Sequence, residues 1–485
     1  MNIKRNIIYS SFLVAGNYIF PLITFPYISR VLGVENIGNI NFVDSVVNYY
    51  IMFSMLGLNL LGIREIAKNK INREECSFVF STLLTMNFII SILLILIYLI
   101  TLIAIPQFSE NRQLFYLGTI KLFFNIFLLE WLYKGLEDFK YITICNTLLR
   151  SCYVLCVLLF VRDTDDSRMY YMITVLLIVF SAIVNSTHSR KYVRYRFIYW
   201  ADIKKYINPY FKLGIYLILT STYTTFNVIY LGLVSSSKEV GFYVTALKIY
   251  TIILGLFTAF TNVMMPSMSV LLAKNDMQSF RNLIIKSFSI FLSIGFLLVS
   301  LLVTLGPEII NIVAGSGYEG SIIPMRIIAP LILVVGCAQI IAIQVLIPLG
   351  KDNVVLRNSV IGAIVGLFLN VLLVPYYGAV GTSITLFCSE ISVTIMLLSY
   401  IVKTRIFAIP WREIFKQYVW ALPYCAICLL IRNVLFVDYN VIYIISLSCF
   451  FCLIYFAIIQ CVVLKNSTFI NLFCKCREYF NYRKL

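Results

Sequence analysis

Residues 78–104 read FVFSTLLTMNFIISILLILIYLITLIA, 27 positions without one charged side chain. A bilayer core about 30 Å thick is crossed by about 20 helical residues, so this stretch spans a membrane with length to spare. The apolar residues show no alternation of the kind a barrel strand needs. Similar runs recur in both directions at 7–29, 40–61, 114–133, 141–161 and 169–186. After a longer polar connection they continue at 212–235, 241–266, 286–305, 322–349, 359–376, 379–402, 417–435 and 441–464. The expected fold is an all-α polytopic membrane protein of about 14 helices, in a chain of 485 residues that is 61% hydrophobic and 13% charged. The first run has no small-residue cleavage site after it and is expected to be a retained helix.

The charge pattern orients the chain. Lysine and arginine concentrate in short cytoplasmic loops. With the N-terminus inside, cytoplasmic segments hold 29 of the 39, the outer loops hold six, and four lie within helices. Both termini are therefore expected in the cytoplasm. The formal charge of +17 is accounted for by lipid head groups and topology, and no nucleic acid is expected as a partner. Most of the 13 cysteines fall in apolar runs, where a thiol behaves as a small hydrophobe; Cys425 and Cys428 have i, i+3 spacing, and Cys474 with Cys476 forms a short tail pair. With a single histidine, His188, no metal site is expected.

The long connection carries Arg190, Lys191, Arg194, Arg196, Lys204 and Lys205, and it divides the chain after six helices. It reads as an inter-lobe linker, as a surface segment on anionic lipid, or as both. The halves echo each other: Val34-Glu35-Asn36-Ile37-Gly38 follows the first helix as Lys238-Glu239-Val240-Gly241 follows the seventh. Gly135-Leu136-Glu137-Asp138 likewise corresponds to Gly350-Lys351-Asp352-Asn353. The expected organisation is an N-terminal six-helix lobe (1–186), a basic linker (187–211), a parallel second lobe (212–405), and two added helices with a basic tail (406–485).

Particular motifs narrow the class. Phe20-Pro21-Leu22-Ile23-Thr24-Phe25-Pro26-Tyr27-Ile28-Ser29-Arg30-Val31-Leu32-Gly33, then Ile37-Gly38 and Asn41-Phe42, resembles the opening of bacterial O-antigen and capsular polysaccharide flippases. Gly57-Leu58-Asn59 with Gly62-Ile63-Arg64-Glu65-Ile66-Ala67 is similar to that family's end of helix two. Pro375-Tyr376-Tyr377-Gly378-Ala379-Val380-Gly381 is similar to its turn between helices eleven and twelve. The family belongs to the multidrug/oligosaccharidyl-lipid/polysaccharide exporter superfamily. The resemblance implies two six-helix lobes in a V, alternating access, often two extra helices, and a polyprenyl-diphosphate-linked oligosaccharide as cargo in surface polysaccharide biosynthesis. It also implies a bacterial inner-membrane location, with membrane lipids and, as candidate partners, polysaccharide polymerase and chain-length proteins.

Ionisable groups at membrane depth are the candidate site, since each costs about 2.5–3.5 kcal/mol at a helix centre unless it meets a partner or water. They are Asp44, Lys121, Glu130, Arg150, Lys248, Arg326 and Glu390. A diphosphate needs cations, so Lys248, Arg150 and Lys121, with Arg30 at the outer mouth, are the expected substrate contacts. Asp44 and Glu390 are either internal salt-bridge partners of those cations or couple transport to a proton or sodium gradient. Glu130 and Arg326 lie near helix ends and are expected to snorkel. No glycine-rich phosphate loop and no large outer loop is present, which argues against ATP hydrolysis and against an oligosaccharide polymerase or ligase. Asp163, Asp165 and Asp166 read as a solvated loop. A drug/cation antiporter of the same superfamily is the remaining alternative, and it requires an acidic cavity.

Overall fold

In lipid every backbone amide must be paired within the chain, which leaves helices as the form for uninterrupted apolar runs. A computed structural model of the protein describes residues 3–221, 225–434, 441–466 and 469–470, and among them no strand occurs. The tail pair Cys474 and Cys476 lies outside the described residues.

The helices are α1 (Ile3–Met55), α2 (Leu58–Asn69), α3 (Arg73–Ala104), α4 (Arg112–Asn125), α5 (Glu130–Gly135), α6 (Phe139–Phe160), α7 (Ser167–Ser189), α8 (Trp200–Ser221), α9 (Thr225–Val234) and α10 (Ser237–Ala273). They continue as α11 (Met277–Thr304), α12 (Gly306–Ala314), α13 (Ile322–Ile328), α14 (Leu331–Gln339), α15 (Asp352–Thr404), α16 (Trp411–Val434) and α17 (Val441–Ile458). Eleven helical runs among the described residues are long and apolar enough to cross a membrane. Two of them, Gly16–Asn69 and Asp352–Thr404, have 54 and 53 residues. At 1.5 Å per residue each is about 80 Å long, far more than one crossing needs. Each contains a glycine with positive φ, Gly33 (φ 75°) and Gly378 (φ 50°), a backbone that side chains with a Cβ rarely adopt, and the first run also turns at Leu56 and Gly57 between α1 and α2. Each long run is therefore two crossings, and the shorter apolar helix α9 (Thr225–Val234) lies where the sequence places the seventh. The protein is an all-α polytopic membrane protein with 14 crossings.

Several boundaries differ from those read in the sequence. Helix four is not continuous: it stops at Asn125 and resumes at Glu130, with Leu129 left-handed (φ 51°). Helix ten is three pieces, α13, α14 and a π-helical turn over Ile340–Leu346. Apolar periodicity persists across such breaks, so hydropathy cannot find them.

By packing, the chain divides into one unit of Met1–Val244 with Ala363–Leu386, and another of Thr245–Gly362 with Phe387–Leu485. In the first, Asn72 caps α3 by accepting from the amides of Glu74 (3.0 Å) and Glu75, with both carboxylates in the first turn beside the positive end of the helix dipole. The basic connection before α8 is an extended strap laid along α3. The Arg194 amide donates to Ser77 Oγ and the Arg196 amide to Ser81 Oγ, both at 3.0 Å, and Val193 is buried. In the second unit the added helices α16 and α17 are tied to the rest by buried polar groups. Gln460 Oε1 accepts from Ser293 Oγ (3.0 Å), Gln460 Nε2 donates to Gln417 Oε1 (3.0 Å), and Arg432 pairs with Glu308 (2.9 Å).

The sequence echo has a physical counterpart within the first unit. A Cβ on Gly38 would run into the Ser237 carbonyl, and one on Gly241 into that of Val34. The two echoing segments therefore press backbone on backbone, which only glycine permits. Gly38→Ala is expected to force them apart, costing about 3 kcal/mol, the upper end for overpacking because a backbone atom cannot rotate away. Thermal unfolding of the purified protein in detergent checks this; an unfolding temperature equal to wild type would contradict the close contact.

Candidate functional site

In the first unit, membrane-depth polar groups gather around the broken helix. Residues 126–129 free carbonyls that lipid could not satisfy, and neighbouring side chains take them up. Asn185 Nδ2 on α7 donates to Leu128 O (2.7 Å) and Ser186 Oγ to Phe127 O (3.4 Å). Non-helical backbone at this depth is tolerated where it is buried in protein or lines a wet cavity. Here it does line cavities. One, of about 410 Å³, is bounded by Asn48, Met52, Asn59, Asn125 and Glu130, and a smaller one, of about 70 Å³, by Glu130, Asn146, Arg150, Ser181 and Asn185. Leu128 and Glu130 belong to both walls.

The predicted residues separate into distinct roles. Lys121, with a side chain only 10% exposed, donates to Asp44 Oδ1 (2.6 Å) and to Asn48 Oδ1 (2.9 Å). Asn48 Nδ2 in turn donates to Asp44 Oδ2 (2.9 Å), and the Tyr171 hydroxyl reaches Asp44 Oδ1 at 3.4 Å. Of the two roles left open for Asp44, the geometry is that of a salt-bridge partner: Lys121 is neutralised inside a closed network. Arg150, half-buried on α6, forms no ion pair among the described residues, although Glu130 across the small chamber attracts it electrostatically. Glu130 does not simply snorkel as expected; it pairs with Lys134 (2.8 Å), accepts from Asn146 (3.5 Å) and lines both cavities. Arg30 is exposed and donates to Pro26 O (2.9 Å).

The second unit holds Lys248, half-buried on α10, and Glu390, half-buried on α15, whose carboxylate has no hydrogen bond or ion pair among the described residues. Exposed Arg326 donates to Val303 O (3.0 Å), as a helix-end cation does. Asp163, Asp165 and Asp166 form an exposed turn in which Asp166 Oδ2 accepts from the amides of Arg162 (2.8 Å) and Asp163 (3.0 Å). Reading ionised groups alone missed the amides. Asn48, Asn125, Asn146 and Asn185 complete the first unit's polar interior, and Asp44-x-x-x-Asn48, one helical turn apart, was the signal available for one of them.

Beside the small chamber, α6 and α7 hold open an apolar groove of about 340 Å³ lined by residues such as Cys152, Cys156, Met172 and Phe180. Leu149 and Leu177 form part of both the groove and the chamber that contains Arg150. A polar pocket and an apolar groove sharing one wall suit an amphipathic ligand.

Fourteen crossings with ionised groups and broken helices at membrane depth define a polytopic membrane protein of the transporter type. More particularly, the chain belongs to the polysaccharide biosynthesis protein family, whose profile matches residues 3–272. It is 26% identical to a protein of Escherichia coli (strain K12) provisionally named O-antigen transporter, over 84% of this chain and 98% of that one. A protein of the same provisional name from Shigella dysenteriae is 25% identical, over 81% and 99%. Among solved structures, the lipid II flippase MurJ in an inward closed conformation superposes with a TM-score of 0.78 at 13% identity, covering 94% of this chain and 99% of its own. An inward-facing MATE-family multidrug transporter gives 0.61 at 14% identity, covering 80% and 94%. These two likenesses concern the fold.

Proposed function

We propose that this protein is a flippase that moves a polyprenyl-diphosphate-linked oligosaccharide from the cytoplasmic to the outer leaflet of the bacterial inner membrane during surface polysaccharide synthesis. It acts as a transporter and not as an enzyme. The observation that carries the reading is Arg150 in a polar chamber that shares a wall with a lipid-facing apolar groove. A guanidinium holds a diphosphate through paired N–H donors, and the prenyl chain stays in the apolar phase. Relatives named as O-antigen transporters, and the fold shared with a lipid II flippase, support the same cargo class.

In this reading two six-helix lobes rock about the substrate in alternating access, with both termini in the cytoplasm. Lys248 and Arg30 add positive charge along the path. Glu390 is the candidate for coupling to a proton or sodium ion, and polysaccharide polymerase with chain-length proteins are candidate partners. A drug/cation antiporter needs a carboxylate at the cavity ready to take the cation, whereas in the first unit Asp44 is committed to Lys121 and Asn48, and Glu130, on both cavity walls, is paired with Lys134.

Deleting the gene and locating the lipid-linked glycan tests the proposal. Complete repeat units are expected to accumulate on the cytoplasmic face, where added periplasmic glycosidase cannot reach them. Complete units exposed outside but unpolymerised would overturn it.

A further inference from the structure

The first unit has a further and larger polar cavity, separate from the two at the break in helix four. It holds about 590 Å³ and lies where the loops after the first, third and fifth crossings meet. Leu114 is the one lining residue with an apolar side chain. The walls are cross-linked: Asn111 Nδ2 donates to Asn39 Oδ1 (3.1 Å), and Asn36 Nδ2 donates to Thr164 O (2.9 Å), so three loops hold one shape. Arg112 Nε donates to the Tyr116 hydroxyl (2.8 Å), fixing a ring that remains 47% exposed.

This chemistry selects its occupant. Amides carry an adjacent donor and acceptor, and guanidinium groups adjacent donors, at the spacing of neighbouring sugar hydroxyls, and an exposed tyrosine face packs on the C–H side of a pyranose ring. Charge argues against a phosphate. Arg112 and Arg168 are offset by Glu110 and by the acidic turn Asp163, Asp165 and Asp166 directly before Ser167. Short outer loops disfavour basic residues, yet two of the six on that side line this pocket.

We propose that this cavity is an outer-face landing site for uncharged, hydroxyl-rich sugar rings, which takes up the glycan of the cargo as it emerges. The site rests on the flippase reading and adds to it a second contact, one that recognises sugar and not diphosphate. The glycan is then held at both ends of its path, by its diphosphate within the membrane and by its rings outside.

The probe is the lipid-free repeat-unit oligosaccharide, released by mild acid from the lipid-linked pool of the cell that makes this protein. Binding is read by saturation-transfer NMR on the full chain in nanodiscs. The wild type is expected to bind it, inorganic diphosphate in excess is expected to leave it in place, and Tyr116→Ala and Gln113→Ala are each expected to bind about fivefold to tenfold more weakly with unchanged thermal unfolding. No binding by the wild type, equal binding by Tyr116→Ala, or displacement by diphosphate would each overturn the landing site. Binding of the intact lipid-linked oligosaccharide, measured in parallel, separates that failure from failure of the flippase reading.

Discussion

Asp44→Ala is expected to be among the most destabilising single substitutions in the first unit. It strips the carboxylate from Lys121, whose side chain stays 10% exposed on the buried face of α4, with only Asn48 left to accept from it. Breaking a buried pair by removing one partner costs about 3–5 kcal/mol, and since the Asp44 side chain is 29% exposed the lower end applies, about 3 kcal/mol. The double replacement Asp44→Leu with Lys121→Met removes both charges together and is expected to recover most of the loss, because an apolar pair of similar volume needs no desolvation. Thermal unfolding of wild type, Asp44→Leu, Lys121→Met and the double variant in a double-mutant cycle gives the coupling directly. A single variant as stable as wild type, or a double variant as poor as the single, would show that the pair is not closed.

Arg150→Gln is expected to have the opposite profile: little effect on stability and a large one on transport. Arg150 forms no ion pair among the described residues, so its replacement orphans no buried partner. Each charge-assisted hydrogen bond to a diphosphate contributes about 1.5–3 kcal/mol, so losing one weakens cargo binding by about tenfold to a hundredfold. Arg150→Lys keeps the charge and loses the paired donors, and it should fall between the two. Lys248→Gln is expected to reduce transport as well. Flipping of a fluorescent polyprenyl-diphosphate glycan in proteoliposomes measures all three at matched protein amounts. Unimpaired transport by both glutamine variants would remove the cationic path.

Much of this protein was legible in the chain, and the particular residues show why. Residues 78–104 announce a membrane crossing by themselves, because insertion depends on the local length of apolar side chain. Gly33 and Gly378 sit in motifs recognised from sequence, and in the structure they divide the two longest helices. The pairing of the deep charges was a different matter. Lys121 and Asp44 are 77 residues apart, and nothing local distinguishes Lys121 from Arg150, although one is neutralised and the other is not. The break at 126–129 was hidden in the same way, since its carbonyls are satisfied from α7, nearly sixty residues further on.

The amino-acid sequence alone settled that the chain lives in lipid, how many times it crosses, and which family it joins, because these follow from runs and motifs of neighbouring residues. Tertiary packing decided which buried charges are silenced, where helix four opens to form a polar chamber, and which loops close around a sugar-sized cavity. Those outcomes depend on side chains that meet only after distant helices have packed, and in a medium with no water to satisfy a stray polar group, the partner determines what each charge can do.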